Sequence, residues 1–255
     1  MTTRVVLCLA VAIASGSVLA AQPAPPQQAP SSGTAPTGIS ITFEKRGDVY
    51  MARRMYREAI EAYEQEPNRT HVIWNKIGIA YHHMSQLDAA KRSYEKAVKV
   101  NPKYAEARNN LGTVYYAKRS FRRAIREYNR ALKVAPKSAT ILSNLGTAYF
   151  ARKKYKQASK AYQEALALDP EVFEHRSTQG TLLQERTVEE RARFHYYLAK
   201  TYAQAGMTDR ALEYIRKSLE EGFKDRKKYI EEPEFAGLQK LPEFQDLMAR
   251  EFRVL

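Results

Sequence analysis

The chain has 255 residues, a formal charge of +14 and a hydrophobic fraction of 44%, enough apolar content for a folded core. Its single cysteine, Cys8, excludes a disulfide or a thiolate metal site within the chain. The 42 Lys and Arg against 28 Asp and Glu favour an anionic partner over a cationic one.

Residues 1–20 read as a secretory signal. Arg4 gives a positive start, Val5 to Ala14 is apolar, and Val18-Leu19-Ala20 places small residues before a cut near Ala20. The apolar run is shorter than the ~20 residues that span a bilayer, so cleavage is expected over retention as an anchor. Cleavage leaves no transmembrane segment and an exported protein, periplasmic or secreted. Cys8 lies near the start of the run rather than at its end, which argues against lipidation. Residues 21–39 hold Pro23, Pro25, Pro26, Pro30 and Pro36 among Gln, Ser, Thr and Gly, the composition of a disordered tether.

From His71 to Val172 one pattern recurs three times at a spacing of 34 residues. Gly78, Gly112 and Gly146 share a column, as do Tyr81, Tyr115 and Tyr149. Further columns are Ala90, Ala124, Ala158; Tyr94, Tyr128, Tyr162; Ala97, Ala131, Ala165; and Pro102, Pro136, Pro170. Such a period marks a solenoid of stacked helix pairs, and the apolar residues within each copy follow a helical spacing. The prolines are expected in the first turn of the following helix.

These residues resemble the tetratricopeptide repeat (TPR) family, whose pattern places Trp, Leu, Gly, Tyr, Ala, Phe or Tyr, Ala and Pro at repeat positions 4, 7, 8, 11, 20, 24, 27 and 32. Trp74, Ile77, Gly78, Tyr81, Ala90, Tyr94, Ala97 and Pro102 fit it in full. The next two copies depart only at the Trp position, with Arg108 and Leu142. Upstream, Phe43, Gly47, Tyr50, Ala59 and Tyr63 keep the spacing, and Pro67 arrives early. The resemblance divides residues 40–172 into repeats 40–70, 71–104, 105–138 and 139–172. An insertion, 173–191, follows and ends in Thr187-Val188-Glu189-Glu190, a capping-box pattern. A fifth repeat, 192–225, carries Ala199 in the glycine column, and residues 226–255 form capping helices. The implied fold is an all-α, right-handed TPR superhelix of about five helix pairs. In its C-terminal arrangement the chain is similar to exported bacterial TPR proteins. The implied function is a non-catalytic protein-interaction scaffold of the bacterial envelope.

No catalytic, metal or cofactor constellation stands out. The five histidines show neither the i, i+4 pairing nor the HExxH of a helical zinc site, and no phosphate loop occurs. Two surfaces are candidates for partner binding. On each first helix, positions 5, 9 and 12 point opposite the packing columns and are expected to line a concave groove. Asn75, Ile79, His82, Asn109, Thr113, Tyr116, Ser143, Thr147 and Phe150 occupy them. Their amides and hydroxyls suit a peptide backbone, and Tyr116 and Phe150 suit an apolar anchor. The Lys and Asn grip that some family members use on a C-terminal carboxylate is missing, since Glu44, Asp48 and Ile79 stand at its positions.

The second surface is electrostatic. Between Lys103 and Tyr162 fifteen Lys and Arg face only Glu106 and Glu127. Arg119, Arg122, Arg123, Arg126 and Arg130, then Lys153, Lys154, Lys156 and Lys160, are expected to form a basic ridge on the outer side. It would dock an acidic protein, as an accessory subunit of an envelope assembly or secretion complex does, or an anionic envelope surface. Export argues against nucleic acid.

Overall fold

The computed structural model describes residues 41–174 and 187–252. The segments expected as signal and tether, and most of the expected insertion, lie outside these residues. Ten helices form five hairpins: α1 (Phe43–Ala52) with α2 (Tyr56–Glu64), α3 (His71–His83) with α4 (Leu87–Val100), α5 (Ala105–Ala117) with α6 (Phe121–Leu132), α7 (Ala139–Ala151) with α8 (Tyr155–Leu168), and α9 (Val188–Gln204) with α10 (Thr208–Glu220). The second helix of each pair packs on the first helix of the next. Among the described residues there is no strand.

Each hairpin is held by one small-to-large pair. The Tyr at position 24 (Tyr63, Tyr94, Tyr128, Tyr162) is almost completely buried and its ring packs against the glycine at position 8. A Cβ on Gly47, Gly78, Gly112 or Gly146 would fall 2.3–2.5 Å from a carbon of that ring. The glycine column therefore records a close approach between helices. The fifth repeat meets the same demand differently, with Ala199 and Ile215 in the two columns, both fully buried.

The turns between paired helices are alike. The residue at position 15 takes the left-handed conformation: Arg54, Ser85, Arg119 and Lys153 at φ 55–59°, and Gly206 at 72°. In each turn its N–H bonds back to the carbonyl of position 12, and the next N–H reaches the carbonyl of the Tyr at position 11, as in Ser120 to Tyr115 at 2.8 Å. These are Schellman caps, which satisfy carbonyls at the helix end. Four of the five use a residue with a Cβ where glycine fits without strain.

At the other helix ends, hydroxyl caps from Thr42, Thr70, Ser138 and Thr187 accept from the N–H three residues on. Pro102, Pro136 and Pro170 do not stand in a first helical turn as expected. Pro102 and Pro136 lie in the connections, three residues ahead of α5 and α7, and Pro170 follows the end of α8. The first repeat is short because α2 stops at Glu64, with Pro67 close behind. α9 begins at Val188, about one turn before the start of the fifth repeat, with Thr187 as its N-cap.

The C-terminal segment closes the end of the stack. α11 (Lys227–Glu231), a 3₁₀ turn (Pro233–Phe235) and α12 (Pro242–Ala249) bury Tyr229, Phe235, Leu238, Phe244 and Leu247 in one core with α9 and α10. Pro233 and Pro242 each stand in a first turn. An uncovered last repeat would expose this core.

Candidate functional site

The expected groove residues do not form an open polar wall. Asn75, Thr113, Ser143 and Thr147 are 0–5% exposed, and Tyr116 and Phe150 are 7% and 5% exposed. Their polar atoms are engaged within the stack. Asn110 donates to Asn75 Oδ1 at 3.0 Å, and Asn144 donates to Asn109 Oδ1 at 3.0 Å. Lys76 does the same one repeat earlier, reaching Glu44 and Asp48 at 2.7 Å. In each case position 6 of one repeat reaches position 5 of the repeat before it. The result is a ladder of three rungs along the first helices. Asn75 also donates to Glu106 at 2.8 Å, and Glu106 accepts from Tyr104 at 2.8 Å.

The hydroxyls turn inward. Thr113, Ser143 and Thr147 bond carbonyls of their own helices. Thr113 and Thr147 also meet the hydroxyls of Tyr128 and Tyr162 at 3.3 Å. Reading these side chains as backbone-binding groups for a partner is therefore corrected: buried polar atoms need partners, and here they take them from neighbouring repeats. Tyr116 packs on Phe121 at 5.2 Å, and Phe150 meets Tyr155, Phe194 and Tyr197 edge-on, so both join the core rather than a groove. Ile79, His82 and Asn109 keep partial exposure. Burial, then the neighbouring His83, lowers the His82 pKa from its ordinary value.

The basic residues lie differently. Arg119, Arg122, Arg123, Arg126, Arg130, Lys153, Lys156 and Lys160 are exposed, and Lys154 is half-buried. They repeat in register: Arg119 and Lys153 at position 15, Arg122 and Lys156 at position 18, Arg126 and Lys160 at position 22. The same stretch holds two carboxylates, one of them buried beneath Arg126 and Arg130. Glu127 is 4% exposed and bound by Arg130 at 2.7 Å and Arg108 at 3.5 Å. Glu106 is tied to Asn75 and Tyr104. Arg119, Arg122, Lys153 and Lys156 have no ion-pair partner among the described residues. Arg123 sits 5.8 Å from the Tyr115 ring, which leaves its charge at the surface.

The first helix of the fifth repeat shows a third arrangement. Lys200 binds Glu232 at 2.8 Å and Glu234 at 3.2 Å, and the Tyr196 hydroxyl donates to Glu232. Burial alone would raise the Glu232 pKa, but the Lys200 and Tyr196 bonds outweigh it and hold the carboxyl below its usual range. His195 Nδ1 lies 2.7 Å from Glu221 Oε2. Burial still lowers the His195 pKa despite this partner. Among the described residues no group of three His, Cys, Asp or Glu could hold a metal ion, and no helix is long and apolar enough to cross a membrane.

Stacked helix pairs with two unlike faces define the class: an all-α repeat solenoid. A tetratricopeptide repeat model matches residues 109–172, and a TPR repeat model matches residues 78–118. Residues 78–172 thus match tetratricopeptide repeats, and the described residues fold as an all-α solenoid of TPR type. None of the curated proteins matches it. Among solved structures it is similar to residues 41 to the end of MamA from Desulfovibrio magneticus RS-1, at 19% identity and a TM-score of 0.50, over 70% of this chain and 92% of that one. Another MamA crystal structure gives 23% identity and a TM-score of 0.49 over 69% and 93% of the two chains. YrrB, a TPR protein with an unusual peptide-binding site, gives 20% and 0.47 over 51% and 69%. These likenesses concern the fold.

Proposed function

We propose that the chain is a non-catalytic scaffold, exported to the bacterial envelope, that docks an acidic partner protein on the outer face of α6 and α8. One observation carries this reading. The cations of the third and fourth repeats stand exposed in register, and of the two carboxylates in the same stretch Glu127 is buried beneath Arg126 and Arg130 while Glu106 is bound to Asn75. A surface of one sign steers and orients an oppositely charged partner. Export rests on the sequence of residues 1–20, and the position of an acidic partner in an envelope assembly follows from it.

The test is binding of the mature protein to envelope extract at two salt concentrations. The native protein is compared with an Arg122→Glu, Arg123→Glu, Arg126→Glu variant. The reading expects capture that weakens with salt and is lost in the variant. Capture unchanged by the triple reversal overturns it.

A further inference from the structure

The ladder along the first helices stops at the junction of the fourth and fifth repeats. Position 6 of the fifth repeat is Tyr197, a ring where the earlier repeats carry Lys76, Asn110 and Asn144. The junction is instead filled by rings and left partly open. Tyr155 and Tyr197 stack at 4.7 Å and 14°, and Tyr196 and Phe223 stack at 4.5 Å and 9°. Tyr196 and Tyr197 meet edge-on at 5.1 Å. Between these two stacks lies a cavity of about 280 Å³, room for one or two side chains rather than for a drug-sized ligand.

The rim carries charge. Arg193 donates to the Tyr155 hydroxyl at 3.3 Å and pairs with Glu189 at 3.0 Å, and Lys228 stands over the Tyr196 ring and pairs with Asp225 at 3.5 Å. Lys224 is exposed on the same rim and has no ion-pair partner among the described residues. The rim therefore holds one more cation than it has carboxylates. The neighbouring surface shows what such a site accepts, because α9 already holds an acidic and aromatic stretch of the chain itself. Glu232 and Glu234 sit on Lys200, Glu234 also accepts from Gln204 at 3.0 Å, and Tyr229 and Phe235 pack against Tyr196. Tyr196 is the wall shared by that contact and the open cavity.

We propose that this cavity binds an extended peptide segment of a partner, with an aromatic side chain between the two ring stacks and an adjacent carboxylate on Lys224 and Arg193. A ring offers the edge and face contacts that these walls present. A carboxylate completes the unpaired cation. The proposal stands independently of docking on the outer basic face, and each can fail alone.

The experiment uses the mature full chain and a fluorescent hexapeptide with one phenylalanine flanked by glutamates, followed by anisotropy. Controls replace the phenylalanine by alanine, or the glutamates by lysine. Saturable binding with a Kd on the order of 100 μM or tighter is expected. Each control peptide should bind at least about tenfold more weakly, as should the protein variants Lys224→Glu and Tyr155→Ala. Lys224→Glu changes an exposed side chain, so loss of fold does not confuse the result, and far-UV circular dichroism checks this. The Arg122→Glu, Arg123→Glu, Arg126→Glu variant should bind as the native protein does. The proposal is overturned if the native protein shows no saturable binding. It is equally overturned if the ring-free peptide binds as tightly, or if the outer-face variant loses binding while Lys224→Glu and Tyr155→Ala keep it.

Discussion

Replacing Gly112 by alanine tests the packing that sets the repeat. The new Cβ would stand 2.5 Å from Tyr128 Cε1, 2.8 Å from Cδ1 and 3.0 Å from Cζ. Ordinary carbon contacts lie near 3.5–4.0 Å, so a fully buried ring must retreat by about 1 Å. Helix propensity favours alanine by about 1 kcal/mol. Overpacking costs about 1–3 kcal/mol, and displacing the ring endangers the Tyr128–Thr113 hydroxyl contact at 3.3 Å, worth about 1 kcal/mol. Gly112→Ala should therefore destabilise by about 1–3 kcal/mol. Tyr128→Ile alone leaves a void beside a glycine and should cost about 2–4 kcal/mol. Together the two changes reproduce the pair that the fifth repeat uses, Ala199 with Ile215. The double variant should be more stable than the sum of the single effects implies by at least about 1.5 kcal/mol. Urea denaturation followed by circular dichroism and by tyrosine fluorescence measures all four proteins and checks that the probes coincide. Additivity within about 0.5 kcal/mol, or a Gly112→Ala variant more stable than the native chain, refutes the reasoning.

Three further outcomes follow. Lys153→Gly, which removes a Cβ from a left-handed turn, should raise stability by about 0.5–1 kcal/mol, and Gly206→Ala should lower it by a similar amount, both read from thermal melts. Asn110→Ala leaves the buried Asn75 carbonyl without its donor and should cost about 1–3 kcal/mol, while Asn129→Ala, exposed on α6, should cost well under 1 kcal/mol in the same urea assay. Burial lowers the folded-state pKa of His195 and His82, so the unfolded chain binds protons more readily. The stability they contribute is full above pH ~6.5 and falls as pH drops below it; a His195→Gln, His82→Gln variant should show a flatter melting temperature between pH 7 and 5.

Most of the fold was legible because a stacked repeat writes its contacts as columns. Glycine facing tyrosine is a local pair at a fixed offset, so one copy explains the next. The polar columns were harder to read. Position 5 looked available because it points away from its own partner helix. Its asparagines are instead taken by position 6 of the following repeat, 35 residues on, as Asn110 and Asn144 show. That relation was present in the sequence as Asn75 with Asn110 and Asn109 with Asn144, but only stacking reveals that the pairs meet. The basic residues were easier to place, because charge at positions 15, 18 and 22 has no packing role. The cavity beside Tyr197 could not be read from columns, since it arises where the insertion breaks the register.

The most direct test of docking on the outer face is site-specific photocrosslinking of the mature protein in envelope extract. A photoreactive residue is placed in turn at Arg122, at Lys156, and at Ile79 on the first-helix face. The account predicts one partner adduct of the same mass from Arg122 and Lys156, suppressed by polyglutamate, and none from Ile79. An adduct from Ile79 alone, unaffected by polyglutamate, would contradict it.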